Sequence, residues 1–391
     1  MGRSRPKLFK SMKGATEMIT VSYYISDYGY GHAARSIAVI RSLLQFSGNR
    51  LRIIICCSKA LSFIKESLKE YDQEIIEYRN VSTDLGYILK QGSIQPDIDR
   101  LTVEYLKYIE GFPQLVEREC KFLRQENISL VISDISPIPF AAANAVNIKS
   151  VGISNFTWYT AYTQMLEEHL LTPIKEAYSQ MDYFVSLPGA DEPYWGRYGH
   201  LRAGFFCREP LEKDLEQLSY QLNLNGSKIV VFFALGMSIG VDDLKGMQMW
   251  EDDSCLFIVS SNMDIDHKNV IRIPEHYTES QHYVALSDIV ISKPGWGTVS
   301  EAVSLGKPLL LLKRDSFVED DNTVAALNDN HPYKQIEWEQ LKHLSITREL
   351  VESLNSRTTK QAANRRNENL QKIVEFAAEL TVERQVIKTG W

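Results

Sequence analysis

The chain has 391 residues, 44% of them apolar, and a formal net charge of −7. That length suits two α/β domains, each able to bury a core. The acidic balance, with no basic stripe along the body, excludes a nucleic-acid partner, and no apolar run approaches the length of a membrane span.

The first seventeen residues form a separate region. Arg3, Arg5, Lys7, Lys10 and Lys13 are basic, and no acid precedes Glu17. No apolar h-region follows, and Pro6 stands where a myristoylation motif needs Ser or Thr. Residues 1–17 are expected to be a disordered tail, or to follow from an upstream start codon with Met18 as the working one. Weak attraction to anionic lipid is the other reading.

From Ile19 the pattern alternates. Ile19–Ser26 reads as a strand, Gly29–His32 as its turn and Ala33–Leu44 as a helix with Ile37, Ile40, Leu43 and Leu44 on one face. Further strands are expected at Leu51–Cys57, Glu74–Tyr78, Leu130–Ser133 and Ser150–Ser154. Helices are expected at Ala60–Tyr71, Leu101–Gln125 and Pro139–Val146. The near-continuous apolar strands imply a parallel, doubly wound sheet covered on both faces. The pattern restarts with strands at Lys228–Ala234, Cys255–Ser260, Asp288–Ser292 and Pro308–Leu312. The expected organisation is a first domain over 18–205, a linker over 206–226, a second domain over 227–358 and a closing helical segment over 359–391 that packs back on the first. Tandem doubly wound domains place their carboxyl-end crevices face to face, and ligands belong in that cleft.

The stretch Lys293-Pro-Gly-Trp-Gly-Thr-Val-Ser-Glu301 carries the most chemistry. Gly295 and Gly297 permit close approach of backbone to a ligand. A helix expected to begin at Thr298 offers free N–H groups to an anion. Glu301, one turn in, is placed to meet a ribose. Glu319-Asp320-Asp321-Asn322 follows the next strand and emerges on the same rim. Phosphate donors, a ribose acceptor and sugar acceptors together suggest a nucleotide-sugar pocket. The cysteines Cys56, Cys57, Cys120, Cys207 and Cys255 have no metal-ligand spacing and read as reduced thiols in a cytoplasmic protein. The oligomeric state is left open.

Three segments together resemble the GT-B glycosyltransferases. They are Gly29-Tyr-Gly-His-Ala-Ala-Arg35, then Ser133-Asp-Ile-Ser-Pro137 through Ser150–Trp158, then Gly295–Glu301 with Arg314–Glu319. The nearest likeness is to MurG-like transferases and to the glycosyltransferase-like half of plant L-arabinokinase. No kinase signature of the latter's other half is present. The resemblance covers about Met18 to Asn322. It implies two Rossmann-like domains in tandem, an N-terminal one for the acceptor and a C-terminal one for the donor.

It also implies that His32 is the base that deprotonates an acceptor hydroxyl and that Asp134 pairs with it. That chemistry is sound in itself. A sugar hydroxyl must lose its proton as it attacks, and a carboxylate on the second ring nitrogen fixes the imidazole tautomer. The helix start at Gly297-Thr298 is expected to hold the leaving diphosphate with no metal and no further cofactor. Gly236 and Ser238 border the donor phosphates by the same resemblance.

Tyr30, Arg35, Asn155 and Trp158 are the candidate acceptor residues. Arg35 either meets an acidic group of a ligand or forms a salt bridge. Trp158 either walls the pocket or packs in the core. Asp134 either pairs with His32 or caps a turn. Trp296 stacks on the base or shapes the pocket, and Glu319, Asp320 and Asp321 bind sugar hydroxyls or are merely solvated. The function expected is transfer from a nucleoside-diphosphate sugar, by default UDP, to a small soluble acceptor, with inversion.

Four rivals remain. A nicotinamide enzyme would need an acid after the second strand, where Cys56-Cys57-Ser58-Lys59 stands. A metal-dependent transferase would use Asp97-Ile-Asp99 or Asp264-Ile-Asp266, neither in a persuasive setting. A sugar-nucleotide 2-epimerase shares the fold. A non-catalytic sugar-nucleotide-binding protein would lack a working His32.

Overall fold

The computed structural model describes residues 18–72, 74–91, 95–235, 244–314, 317–327, 331–355 and 362–388. The basic segment 1–17 and the loop with Gly236 and Ser238 lie outside the described residues. The first sheet contains β1 (Ile19–Ile25), β2 (Leu51–Cys57), β3 (Ile76–Asn80), β4 (Leu130–Asp134), β5 (Lys149–Ser154), β6 (Tyr183–Ser186) and β7 (Gly199–Arg202). The second contains β8 (Ile229–Ala234), β9 (Cys255–Val259), β10 (Val270–Arg272), β11 (Ile289–Ser292), β12 (Leu309–Leu312) and β13 (Tyr333–Ile336). The strand orders are β3-β2-β1-β4-β5-β6-β7 and β10-β9-β8-β11-β12-β13, and the pairings are parallel. The fold is thus α/β, with two doubly wound Rossmann-like sheets.

The helices are α1 (Tyr30–Ser47), α2 (Leu61–Ser67), α3 (Ile98–Gln125), α4 (Ile138–Ala145), α5 (Trp158–Tyr162), α6 (Thr172–Ser179), α7 (Glu212–Gln221), α8 (Ser280–Leu286), α9 (Trp296–Ser304), α10 (Val318–Leu327), α11 (Trp338–Lys342), α12 (Arg348–Asn355) and α13 (Ala362–Lys388). Among the described residues no helix is long and apolar enough to cross a membrane. The β1, β4, β5, β8 and β12 side chains are almost wholly buried, as expected for strands with helices on both faces. Ile373, Val374, Ala377 and Leu380 of α13 join Ile37, Ile40 and Leu44 of α1 in one core, so the last helix packs on the first domain.

The strand order reverses on either side of β1 and of β8. The loops after β1 and β4 flank one switch point, and those after β8 and β11 flank the other. Ligand crevices form there, because neighbouring loops diverge to opposite faces.

Some expected boundaries move. The strand expected at Glu74–Tyr78 is β3 and runs to Asn80, because Arg79 stays in register against Cys56 while its guanidinium reaches Glu119. The helix expected from Thr298 begins at Trp296 with Gly295 as its cap, since the Trp296 ring packs back on Phe205 and Phe206. Asp97 of the first Asp-x-Asp match caps α3, accepting from the Arg100 N–H at 3.1 Å.

Candidate active site

The first half of the site is built where β1 turns into α1. Gly29 has φ +77°, a conformation that costs a side chain strain, and α1 starts at Tyr30. His32 therefore sits in the first helical turn, facing the end of β4. Its Nδ1 lies 2.9 Å from Asp134 Oδ1. Asp134 also accepts from Arg35 Nε at 2.6 Å, from Arg35 Nη2 at 2.5 Å and from Ser36 Oγ at 3.2 Å. Burial alone would push the Asp134 carboxyl up, but the Arg35 and His32 charges outweigh it and hold the group down at about 2. Arg35 Nη2 stands 2.9 Å from the same Nδ1, but its two hydrogens go to Asp134 Oδ1 and Ser154 Oγ, so the carboxylate favours the tautomer with the proton on Nδ1. Nε2 is then the acceptor nitrogen, and it has no hydrogen-bond partner among the described residues.

Arg35 is buried, and its remaining donors go to Asn155 Oδ1 at 2.7 Å and Ser154 Oγ at 3.0 Å. Its guanidinium also stands 5.1 Å from the centre of the Trp296 ring. Arg35 and Asn155 line the cavity, yet their polar atoms are engaged in orienting Asp134.

The second half is the turn from β11 into α9. The first turn of α9 leaves the N–H groups of Trp296, Gly297 and Thr298 without helical partners. Lys293 ends the strand and lines the same cavity. Burial, then the nearby Arg314, draw its ammonium down to about 8. Glu301, one turn on, accepts from Arg208 Nη2 at 3.2 Å and meets Ser280 Oγ at 3.4 Å. Burial raises its carboxyl above the usual range, and Arg208 offsets part of that.

The two turns touch. A Cβ on Gly297 would stand 3.0 Å from Gly31 Cα, so a side chain there would press against the backbone of the other domain. Between them lies a cavity of about 260 Å³. It is lined by Tyr30, His32, Arg35 and Asn155 from the first domain and by Lys293, Gly295, Trp296, Gly297, Thr298, Glu301 and Glu319 from the second. Arg41 grips Glu279 across the domain boundary at 2.8 and 2.9 Å.

Other candidates lie elsewhere. Trp158 is buried in an aromatic core, its Nε1 donating to Asp84 at 3.0 Å, and it does not line the cavity. Asp320 is buried in a two-point ion pair with Arg314 at 2.6 and 2.7 Å, and Asp321 is exposed. Both are absent from the cavity lining. Trp296 is held at the domain boundary, its Nε1 donating to Pro188 O at 3.1 Å.

The structure adds Lys293, Arg208 and Asp84 to the candidates. Lys293 stands within the glycine stretch, and a charge at the carboxyl end of an apolar strand was its signal. Arg208 gave none, because an arginine in a charged linker reads as solvated. Its side chain is fully buried and also reaches Thr278 O at 2.6 Å. Asp84 is half-buried and within electrostatic reach of His32, from a loop with no motif.

Comparison with known proteins now adds independent information. The glycosyltransferase family 28 C-terminal domain matches residues 253–380. L-arabinokinase of Arabidopsis thaliana is 26% identical over 326 residues, which is 80% of this chain and 30% of that protein. The chain thus spans under a third of that relative's length. The glycosyltransferase SnogD from Streptomyces nogalater superposes with a TM-score of 0.60 at 14% identity, covering 94% of this chain and 99% of that one. UGT89C1 of Arabidopsis thaliana, solved with UDP-L-rhamnose, gives a TM-score of 0.60 at 13% identity, covering 94% and 100%. The chain therefore has the GT-B fold across both domains, and its residues 253–380 match the glycosyltransferase family 28 C-terminal domain.

Proposed function

We propose that this protein transfers a sugar from a nucleoside-diphosphate sugar, with UDP as the nucleotide, to a hydroxyl of a small soluble acceptor. The observation that carries the reading is the meeting of two unlike turns on one cavity. A histidine whose Nε2 has no hydrogen-bond partner among the described residues shares the cavity with a helix start and with a lysine that forms no ion pair among those residues.

His32 Nε2 takes the acceptor proton as the oxygen attacks the anomeric carbon. Asp134 holds the ring and stabilises the imidazolium, and Arg35 keeps Asp134 ionised. The bond to the diphosphate breaks, and the negative charge that develops meets the α9 N–H groups, the Thr298 hydroxyl and Lys293. These groups supply positive potential without a metal. A single base opposite the leaving group implies inversion. Glu301 reads the ribose hydroxyls, and Glu319 reads the sugar. The stacked Tyr30 and Phe63 rings, 4.8 Å apart, give the acceptor side an apolar wall. UGT89C1 has also been solved with quercetin, and a small acceptor with a flat face suits this mouth.

Calorimetric titration with UDP, dTDP, GDP and NAD, with and without chelator, tests the reading. The expected result is micromolar UDP binding that chelator leaves unchanged and that Glu301→Gln weakens about tenfold. Binding of NAD alone, or of no nucleotide, would overturn it.

A further inference from the structure

Glu319 is one of two second-domain carboxylates that line the cavity, with Glu301, yet its bonded partner comes from the first domain. The Tyr87 hydroxyl donates to Glu319 Oε2 at 2.5 Å. Tyr87 lies in the loop between β3 and α3, and no sequence motif singled it out. Its ring is fixed by edge contacts to Tyr28 at 5.0 Å, Trp158 at 5.2 Å and Phe317 at 5.3 Å. Phe317 itself precedes α10, the helix that carries Glu319. The aromatic cluster thus crosses the domain boundary and aims one hydroxyl at one carboxylate oxygen. The other oxygen, Oε1, has no hydrogen-bond partner among the described residues.

We infer that Tyr87 is a positioning residue for the donor sugar: its hydroxyl fixes Glu319 so that the remaining carboxylate oxygen is presented to a sugar hydroxyl. This rests on the transferase reading above and adds to it. The nucleotide is bound by the second domain alone, through α9, Lys293 and Glu301. The sugar is read by a carboxylate that only the first domain can orient. Sugar recognition is therefore completed only when the domains meet, and a sugar nucleotide in an open cleft is held by its nucleotide end. A carboxylate left free to rotate pays rotamer entropy on each encounter, and a charge-assisted hydrogen bond is strong enough to remove that cost.

Tyr87→Phe keeps the ring and removes only the hydroxyl. The probes are UDP and the tightest binder among UDP-glucose, UDP-galactose and UDP-N-acetylglucosamine, titrated calorimetrically. The expected result is an unchanged Kd for UDP and about tenfold weaker binding of the UDP-sugar. In a cycle with Glu319→Gln, the Tyr87 substitution should add nothing once Glu319 is changed, because it acts through that group. Equal weakening of UDP and UDP-sugar would reduce Tyr87 to packing. So would additive effects, or an unchanged UDP-sugar Kd. Failure of the unmodified protein to bind UDP at all is a different result, which removes the transferase reading itself.

Discussion

The turns after β1 and β11 are built alike and behave oppositely. Each follows a buried parallel strand, contains two glycines and opens a helix at a switch point. At the first, Asp134 takes up the side chains of His32, Arg35 and Ser36 from the opening turns of the helix, and its charge goes into orienting His32. At the second, no side chain among the described residues caps the helix start, and Lys293 adds a further positive charge. Glycine also serves different ends. Gly29 is needed for its positive φ, whereas Gly297 has an ordinary helical backbone and stands where a side chain would press against Gly31. In the proposed reaction one turn handles a proton and the other an anion, and both turns line one cavity.

Breaking the first turn should have the largest effect. His32→Ala is expected to lower acceptor-dependent UDP release about 10³-fold while leaving UDP affinity and unfolding free energy near the original. Asp134→Ala should lose as much activity and also about 3–5 kcal/mol of stability, because Arg35 would remain buried without its anion. Chemical denaturation beside the rate measurement separates the two. Activity within a few-fold of the original in His32→Ala would remove the base assignment. Breaking the contact between the turns comes next. Gly297→Ala puts a methyl where Gly31 stands, so the domains must part by a fraction of an ångström. Misplacement on the order of 1 Å costs about 10²-fold in rate. UDP affinity should hold, while the extra affinity contributed by the sugar should fall as it does in Tyr87→Phe. An unchanged rate would show that the two turns need not touch.

What the sequence revealed follows the same division. Apolar strands and glycine turns are local patterns, so the two sheets, His32, Gly297 and Glu301 were legible. Asp134 was legible as a carboxylate at the end of a strand, but not as the anchor of Arg35, because that contact spans 99 positions. Short strands such as β6 and β7, four residues each, carry too little pattern to stand out from loops. The acidic run after β12 shows the limit most clearly. Three neighbouring acids look equivalent in sequence, yet helical geometry sends Asp320 into Arg314, Asp321 to solvent and Glu319 to the cavity. Tyr87 was invisible because its contact with Glu319 depends on how two domains meet, and Arg208 because its partners Thr278 and Glu301 lie 70 and 93 positions away.

The same contrast predicts two opposite pH dependences within the second domain's half of the site. Burial, then the neighbouring Asp320 charge, push the Glu319 carboxyl up to about 7, against the pull of Tyr87, Arg314 and Lys293. The groups around it are thus Tyr28 and Tyr87 from the first domain and Lys293, Arg314 and Asp320 from the second. An acid raised this far is largely protonated below about 7 and can no longer accept from a sugar hydroxyl at full strength. Lys293 is a base drawn down to about 8, so its positive charge is present below that value and lost above it. Above the ionisation of its own terminal phosphate at about pH 6, UDP alone should therefore bind evenly up to about pH 8 and weaken beyond it, since only the lysine side is engaged. The ratio of UDP to UDP-sugar dissociation constants should instead rise through about pH 7, as Glu319 ionises. Calorimetry between about pH 6 and 9 reads both limbs. Tyr87→Phe removes a bond that favours the ionised form, so its rise should move to higher pH while the UDP limb stays in place. A ratio flat across pH 7, together with a UDP limb that falls above pH 8, would keep Lys293 as the phosphate cation and remove Glu319 as the sugar's reader.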